Sequence, residues 1–263
     1  MISQPRPSDW KNYDDFSAGI ATNRLPATAE LVGRSFRIVF EDKRVLDIVF
    51  SDEAHLAWSD QHGAGAEICD VVLVAPETYF VDFTFAAAPR EAETLILNIR
   101  TGRALSVRAR IRDAEEAAGE PRVAQIFRAG TVGDKFDPSA LAPAPTRDLI
   151  GLIARYTYSP QHVYEHIYLS STRYAWQCLV GVQRGHGDVD LTTTFKFDED
   201  QYVFAFQEFK IPVASTFFYN FRDMRSTGKF LGLTGDGRVE NSPAGAFIAQ
   251  ASRTSYRPGQ EPV

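Results

Sequence analysis

The sequence has few cysteines and no long apolar run, and both absences restrict what the protein can be. Only two cysteines, Cys69 and Cys178, occur in 263 residues, and they form no Cys-x-x-Cys pair. A disulfide framework or a structural zinc site would need more cysteines at closer spacing. No apolar run approaches the roughly 20 residues that cross a membrane, and residues 1–15 contain no apolar signal core. We therefore expect a cytoplasmic protein that does not enter a membrane.

Positive charge is also scarce. The formal net charge is −6, with 28 Lys and Arg against 34 Asp and Glu, so the basic surface that binds a phosphate backbone is missing. The sequence has no phosphate-binding loop and no nucleophile elbow. The Gly-rich residues 234–245 are typical of a hairpin turn. We predict no nucleic-acid partner and no cofactor.

What the sequence does contain is aromatic residues in alternating runs. Nineteen Phe and ten Tyr accompany only two Met. Apolar and polar residues alternate along short runs such as 35–40, 45–50 and 78–85, and this period of two predicts β-strands joined in an antiparallel meander. Because closure removes exposed sheet edges, we predict lipocalin-like (calycin) barrels. A single larger β-sandwich or a pair of half-open barrels is the alternative.

The alternating pattern occurs twice along the chain. One constant shift places Trp58 on Trp176 and Asp70 on Asp188, and LILNIR (95–100) corresponds to FFYNFR (217–222). The repeat predicts an all-β protein of two tandem antiparallel meander barrels that arose by internal duplication. The expected parts are an N-terminal arm (1–30), a first barrel (31–112), a linker (113–147), a second barrel (148–250) and a C-terminal tail (251–263).

Three stretches of the sequence resemble one known family. They are DFSAGIATNRLP (15–26), LVGRSFRIVF (31–40) and the long run 168–232, from YLSSTRYAWQ to STGKFLG. These stretches are similar to the molybdenum cofactor biosynthesis protein F (MoaF) family, and the resemblance covers most of the chain. It implies paired lipocalin-like domains and an accessory role in molybdenum cofactor synthesis.

The candidate site consists of positions that are polar in the second half and apolar in the first. LDIVF (46–50) corresponds to YEHIY (164–168), which places Tyr164, His166 and Tyr168 on one face of a strand. If that face points into the barrel, His166 lies between two phenols and suits acid/base chemistry. A solvent-facing strand with aromatic cover is the alternative.

A carboxylate also ends a row of aromatic residues in QYVFAFQEF (201–209). Tyr202, Phe204, Phe206 and Glu208 share one face of the predicted strand. Burial there would raise the pKa of Glu208, as a general acid requires. An ion pair at the surface is the alternative.

The segment RGHGDVD (184–190) aligns Arg184, His186, Asp188 and Asp190 on one side of an extended chain. Imidazole and carboxylates can bind a divalent metal, but no further cluster of His or acidic residues completes a ligand set. We predict no metal. The two glycines favour a tight turn or a segment that orients a ligand.

These patterns predict a small hydrophobic or aromatic ligand in the second barrel. The catalytic candidates are Glu208, His166, Tyr174 and Tyr164. The candidates for holding the ligand, in which arginine would bind an anionic group, are Arg222, Arg184, Arg173, Trp176, His186, Tyr202, Phe204, Phe206 and Tyr219. A cofactor-independent lyase, decarboxylase or isomerase fits this set, and so does a ligand carrier without catalysis.

The first barrel is expected to be catalytically blank. Its interior is predicted to be closed by Ile48, Phe50, Phe83 and Phe85. Exposed sheet edges between two barrels favour a homodimer.

Overall fold

The computed structural model describes residues 9–137 and 142–263. The first residues of the expected arm and part of the expected linker lie outside these ranges. The described chain divides into two compact units, one with residues 9–24, 111–124 and 145–263, and one with residues 25–110, 125–137 and 142–144.

The first barrel closes on itself with eight antiparallel strands in chain order. It closes where β8 pairs with β1, with Ile38 opposite Val132. Alternate residues of β1 are buried, since Phe36, Ile38 and Phe40 point inward. The strands are β1 (Ser35–Phe40), β2 (Val45–Phe50), β3 (His55–Asp60), β4 (Gly63–Ala75), β5 (Thr78–Phe85), β6 (Ala88–Asn98), β7 (Arg103–Ile111) and β8 (Val123–Val132).

The second barrel repeats this architecture. It closes where the last strand pairs with the first, with Tyr156 opposite Ile248, and where Trp176 lies opposite Asp188. The strands are β10 (Leu152–Ser159), β11 (His162–Tyr168), β12 (Arg173–Val180), β13 (Gly187–Asp198), β14 (Gln201–Gln207), β15 (Val213–Asn220), β16 (Arg225–Leu233) and β17 (Val239–Arg253), and a short β9 (Ala144–Pro145) pairs with β13. The prediction of two meander barrels is confirmed.

The N-terminal segment (residues 9–24) belongs to the unit that contains the second barrel. It includes the helix α1 (Tyr13–Ser17). Trp10, Tyr13, Phe16 and Ile20 are buried in the same apolar cluster as the interior of the second barrel. The Tyr13 hydroxyl donates a hydrogen bond to the Phe230 carbonyl at 2.9 Å, which fixes the helix to β16.

The predicted linker differs from the structure. Residues 113–147 contain a short helix, α2 (Ala114–Ala117), and the whole of β8, which completes the first barrel. The sequence pattern did not predict β8, because Gly130 within it and Pro121 just before it are typical of connecting segments. Gly130 is required there, since a Cβ at this position would lie 2.7 Å from the Phe40 ring.

The two barrels align strand by strand, but the register changes along the chain. Ile48 lies opposite Trp58 in the first barrel, as His166 lies opposite Trp176 in the second. On its other side Trp58 lies opposite Gly65, whereas Trp176 lies opposite Asp188. The proposed match of Asp70 with Asp188 is therefore wrong, because the connection that follows Trp176 is longer.

Candidate functional site

The second barrel contains a small cavity beneath the N-terminal segment. The space open to the centre of a water molecule is about 30 Å³, enough for one or two waters. Its wall is mostly aromatic, and Phe16 and Ile20 of the N-terminal segment cover it. Of the described residues that line it, none is Lys or Arg.

Glu208 supplies the carboxyl group of this cavity. It follows β14 directly, and its N–H donates to the Val213 carbonyl at 3.0 Å. The side chain is buried and lines the cavity. Burial, followed by the charges of Asp190 and Asp188, raises the pKa of Glu208 well above its ordinary value. The raised pKa favours the protonated form of Glu208, which can donate a hydrogen bond or a proton.

His166 lies in the same wall, as the inward face of β11 predicts. The burial pattern of this strand alternates, so Tyr164, His166 and Tyr168 point inward. The imidazole lies 4.5 Å from the Tyr156 ring and 5.2 Å from the Tyr174 ring, between centroids. Its Nδ1 has no hydrogen-bond partner among the described residues. Burial lowers the pKa of His166 to about 3, so the ring is neutral and a weak base.

Tyr164 and Tyr174 also line the cavity, but their hydroxyl groups differ. The Tyr164 hydroxyl donates to Oε1 of Gln183 at 2.7 Å, so its proton is already engaged. The Tyr174 hydroxyl has no hydrogen bond with a described residue. Burial raises the pKa of both phenols. Tyr174 is therefore the phenol that can donate to a ligand.

Trp176 forms another part of the wall and is fixed by Asp190. Its Nε1–H donates to Oδ2 of Asp190 at 2.9 Å, and the other oxygen, Oδ1, accepts the N–H of Phe209 at 3.1 Å. Burial raises the pKa of Asp190 to about 6, although the Trp176 N–H opposes the shift. The sequence places Asp190 in a segment that could bind a metal, form a turn or orient a ligand, and the structure shows that it holds the Trp176 indole. Among the described residues, no group of His, Cys, Asp and Glu could hold a metal ion.

The three arginines predicted to hold an anionic group do not line the cavity, and this prediction is corrected. The Arg222 side chain is 56% exposed and lies 3.8 Å from Asp200 in the turn after β15. Arg184 is exposed, and Arg173 is half-buried with its guanidinium 5.7 Å from the centroid of the Phe209 ring. Each one lies in a turn or at a strand end, where the side chain leaves the barrel interior.

The remaining predicted ligand-holding residues separate into two groups. Phe206 lines the cavity with Trp176. Phe204 and Tyr219 stack on each other in the aromatic core, and Tyr202 donates to Asp148 at 3.1 Å, so these three do not line the cavity. His186 lies outside it as well, with Nε2 3.3 Å from Oδ2 of Asp9.

Several residues of the cavity were missed in the sequence. Tyr158 shares the inward face of β10 with Tyr156, so alternation could have identified it. Gln183 comes from the connection between β12 and β13, and Phe16 and Ile20 come from the N-terminal segment. Such positions depend on how a loop folds over the barrel, which strand periodicity does not report.

Lys210 holds the edge of the N-terminal segment near this cavity. Its ammonium group lies 4.3 Å from the Trp10 ring centroid and 2.9 Å from Oδ2 of Asp188. Trp10 in turn packs edge-on against Trp176 at 5.9 Å between centroids. Lys210 therefore forms its ion pair with Asp188.

The corresponding interior of the first barrel is filled by apolar side chains. Ile48, Phe50, Phe83 and Phe85 are buried in one apolar cluster, as predicted. The Arg108 guanidinium lies 3.5 Å from the centroid of the Phe85 ring. The buried Glu93 pairs with Arg44 through both carboxyl oxygens, at 2.5 and 2.9 Å. Nearby, Arg44, Trp58 and Arg108 border an open, charged depression.

Comparison with known proteins agrees with this two-barrel layout. Residues 8–113 match the MoaF N-terminal domain, and residues 143–254 match the MoaF C-terminal domain. Protein MoaF of Klebsiella aerogenes is 31% identical over 236 residues, which cover 86% of this chain and 87% of that protein. The chain belongs to the MoaF family.

Solved structures add little to the MoaF family assignment. A putative beta-lactamase from Burkholderia vietnamiensis is 12% identical with a TM-score of 0.34, and the match covers 39% of this chain and 95% of that one. The DNA polymerase III beta chain from Streptococcus pneumoniae TIGR4 is 6% identical with a TM-score of 0.14, over 89% of this chain and 82% of that one. Neither likeness carries an argument. No helix among the described residues is long and apolar enough to cross a membrane.

Proposed function

We propose that the second barrel binds a small, uncharged, mostly apolar molecule and that Glu208 donates a proton to it. The reaction would be a cofactor-independent lyase or isomerase step. One observation carries this proposal: Glu208 places a buried carboxyl group in the wall of a cavity whose described lining contains no Lys or Arg. Burying an acid destabilises a fold, so its presence in a cavity favours a functional role.

The chemistry of the wall limits the ligand. A neutral carboxyl group and the Tyr174 hydroxyl both donate, so the ligand should carry an acceptor such as a carbonyl oxygen. The lining lacks Lys and Arg, so an anionic ligand would lose its hydration without gaining a partner. A decarboxylase, whose substrate is an anion, is therefore the least favoured of the expected reactions.

The size of the cavity requires movement before a larger ligand enters. A space of about 30 Å³ does not hold an aromatic ring. Phe16 and Ile20 cover the cavity and belong to the N-terminal segment rather than to a barrel strand. We propose that this segment shifts when the ligand binds.

A ligand carrier without catalysis is the second candidate, and the state of His166 favours it. A base with a pKa of about 3 accepts protons poorly at neutral pH. In a carrier, Glu208 and Tyr174 would orient the ligand and no bond would change. The accessory role in molybdenum cofactor synthesis that the family resemblance implies would involve phosphate-bearing intermediates, for which this wall supplies no cation. The cytoplasmic location and the homodimer stay predictions.

A panel of aryl and enone carbonyl compounds tests the proposal. Binding is followed by the fluorescence of Trp176, which lines the cavity, and turnover by product formation. Glu208→Gln should abolish turnover, because an amide does not release a proton as a carboxylic acid does, and should change binding by less than about tenfold, because the amide N–H still donates a hydrogen bond.

Arg222→Gln is the matched control, because its side chain lies outside the cavity and should change neither quantity. Binding without turnover in the wild type would favour the carrier. Equal turnover in wild type and Glu208→Gln would overturn the assignment of Glu208.

A further inference from the structure

We propose that Asp190 is a positioning residue that fixes Glu208 and Trp176 in the cavity wall. The inference rests on the proposed function of Glu208 and goes beyond it. Asp190 lies on β13 and is 0% exposed. Its two carboxyl oxygens accept one hydrogen bond each, from the Trp176 indole at 2.9 Å and from the Phe209 N–H at 3.1 Å.

The two hydrogen bonds reach both sides of the cavity wall. Trp176 is on β12, the neighbour of β13, and its ring lines the cavity. Phe209 follows Glu208 directly, so an anchored Phe209 N–H fixes the peptide plane between these two residues. The Glu208 N–H is itself bonded to the Val213 carbonyl. The backbone of Glu208 is therefore held on both sides, and its carboxyl group is aimed by the main chain.

The first barrel contains the same arrangement around a different residue. Oε1 of Glu67 accepts the Trp58 indole N–H at 3.2 Å, and Oε2 accepts the Ala86 N–H at 2.9 Å. The residue before Ala86 is Phe85, where the second barrel has Glu208. Both barrels therefore contain an acid that accepts a tryptophan N–H, Glu67 in the first and Asp190 in the second. In the second barrel this acid also fixes the backbone next to another acid, Glu208.

Charge adds a second effect in the second barrel. A negative Asp190 opposes a second negative charge on Glu208, so the proton stays on Glu208. Lys210 opposes this effect, but it is paired with Asp188 at 2.9 Å. The titratable and charged groups that face Glu208 are Asp188 and Asp190 from β13, Lys210 from its own segment, Tyr164 and His166 from β11, Tyr174 from β12 and Tyr158 from β10.

The test follows the Glu208 carboxyl carbon by NMR during a pH titration of protein labelled with ¹³C-glutamate, with Glu208→Gln used for assignment. Four proteins are compared: the wild type, Asp190→Asn, Asp190→Glu and Glu67→Gln. Removing the charge at position 190 should move the Glu208 midpoint down by about one pH unit or more. Asp190→Glu should keep the wild-type midpoint, because Glu67 makes both hydrogen bonds in the first barrel.

Glu67→Gln is the matched control, since it breaks the same arrangement where no acid depends on it. A midpoint unchanged in Asp190→Asn, or shifted equally by Glu67→Gln, would overturn the inference while the proposed function stands. A Glu208 that is already ionised at pH 7 in the wild type would overturn the proposed function itself. Should Asp190→Asn not fold, Asp190→Glu decides: an unchanged midpoint supports the inference, and a shift of about one unit or more contradicts it.

Discussion

Glu93 in the first barrel and Glu208 in the second are both buried, and their surroundings are opposite. Glu93 in the first barrel accepts hydrogen bonds from Arg44, Ser106 and Arg108. Burial alone would raise its pKa, but these partners outweigh burial and leave the pKa below its ordinary value. Burial raises the pKa of Glu208 in the second barrel, and the charges of Asp190 and Asp188 add to the shift. One fold thus favours the ionised form of a buried glutamate in one copy and the protonated form in the other.

This difference separates an interior whose charged groups are paired from the interior to which we assign the proposed function. In the first barrel the charges satisfy one another and help to fill the space inside. In the second, Ile48 is replaced by His166 and Phe85 by Glu208, and His166, whose Nδ1 has no partner among the described residues, borders a cavity. Duplication therefore supplies an internal control for every proposal about the second barrel.

The largest effect is expected from breaking the ion pair of the first barrel. Arg44→Met should lower the free energy of unfolding by about 3–5 kcal/mol, because it leaves the carboxylate of Glu93 buried beside fewer partners. Chemical denaturation monitored by circular dichroism measures the loss. Arg37→Met is the control: its pair with Asp47 is about half exposed, and its loss should stay below about 1 kcal/mol. Equal losses would contradict the account of Glu93.

Glu208→Gln should stabilise the second barrel at neutral pH. The folded protein keeps the Glu208 proton, whereas the unfolded chain releases it above its ordinary pKa of about 4.5. The stability of the wild type therefore falls as pH rises above that value. The advantage of the glutamine variant should grow by about 1.4 kcal/mol per pH unit until Glu208 ionises in the folded state.

Urea denaturation of wild type and variant between pH 4 and pH 8 measures this divergence. Glu199→Gln is the control, because the Glu199 side chain is exposed and should give no such slope. An advantage for Glu208→Gln that stays constant with pH would mean that Glu208 is ionised in the folded protein.

His166→Ile should make the protein more resistant to acid. The pKa of His166 is lowered to about 3, so between about pH 6.5 and pH 3 the unfolded chain binds a proton that the folded chain does not. The stability of the wild type therefore falls as pH falls through this window, by up to about 1.4 kcal/mol per unit. The isoleucine, which Ile48 provides in the first barrel, removes this loss. Urea denaturation between pH 7 and pH 3 measures the free energy of unfolding of both proteins. If the two free energies fall in parallel as pH falls, the imidazole of His166 is not buried in its neutral form.

The smallest effect on stability is expected at the N-terminal segment, which packs on the second barrel. Lys210→Met removes the contacts of the ammonium group with Asp188 and Trp10 and should lower stability by about 0.5–1 kcal/mol. Quenching of tryptophan fluorescence by acrylamide should increase as Trp10 loosens. Lys196→Met, which breaks the partly exposed pair with Asp148, is the control and should leave quenching unchanged.

Strand periodicity predicted the barrels and half of the site. Alternation placed Tyr164, His166 and Glu208 on inward faces, because a strand buried on one side repeats every two residues. It missed β8, whose glycine and neighbouring proline resemble a linker, and it misjudged Arg222, which lies in a turn where alternation ends. The position of Phe16 and Ile20 at the cavity depends on contacts between residues far apart in sequence. A local sequence pattern therefore could not predict it.

Infrared difference spectra of wild type and Glu208→Gln at pH 7 test the central claim most directly. A protonated carboxylic acid has a carbonyl band distinct from the bands of carboxylates. We predict such a band in the wild type and its loss in Glu208→Gln. If the wild type instead shows an additional carboxylate band that the variant lacks, Glu208 is ionised and cannot be the proton donor of the second barrel.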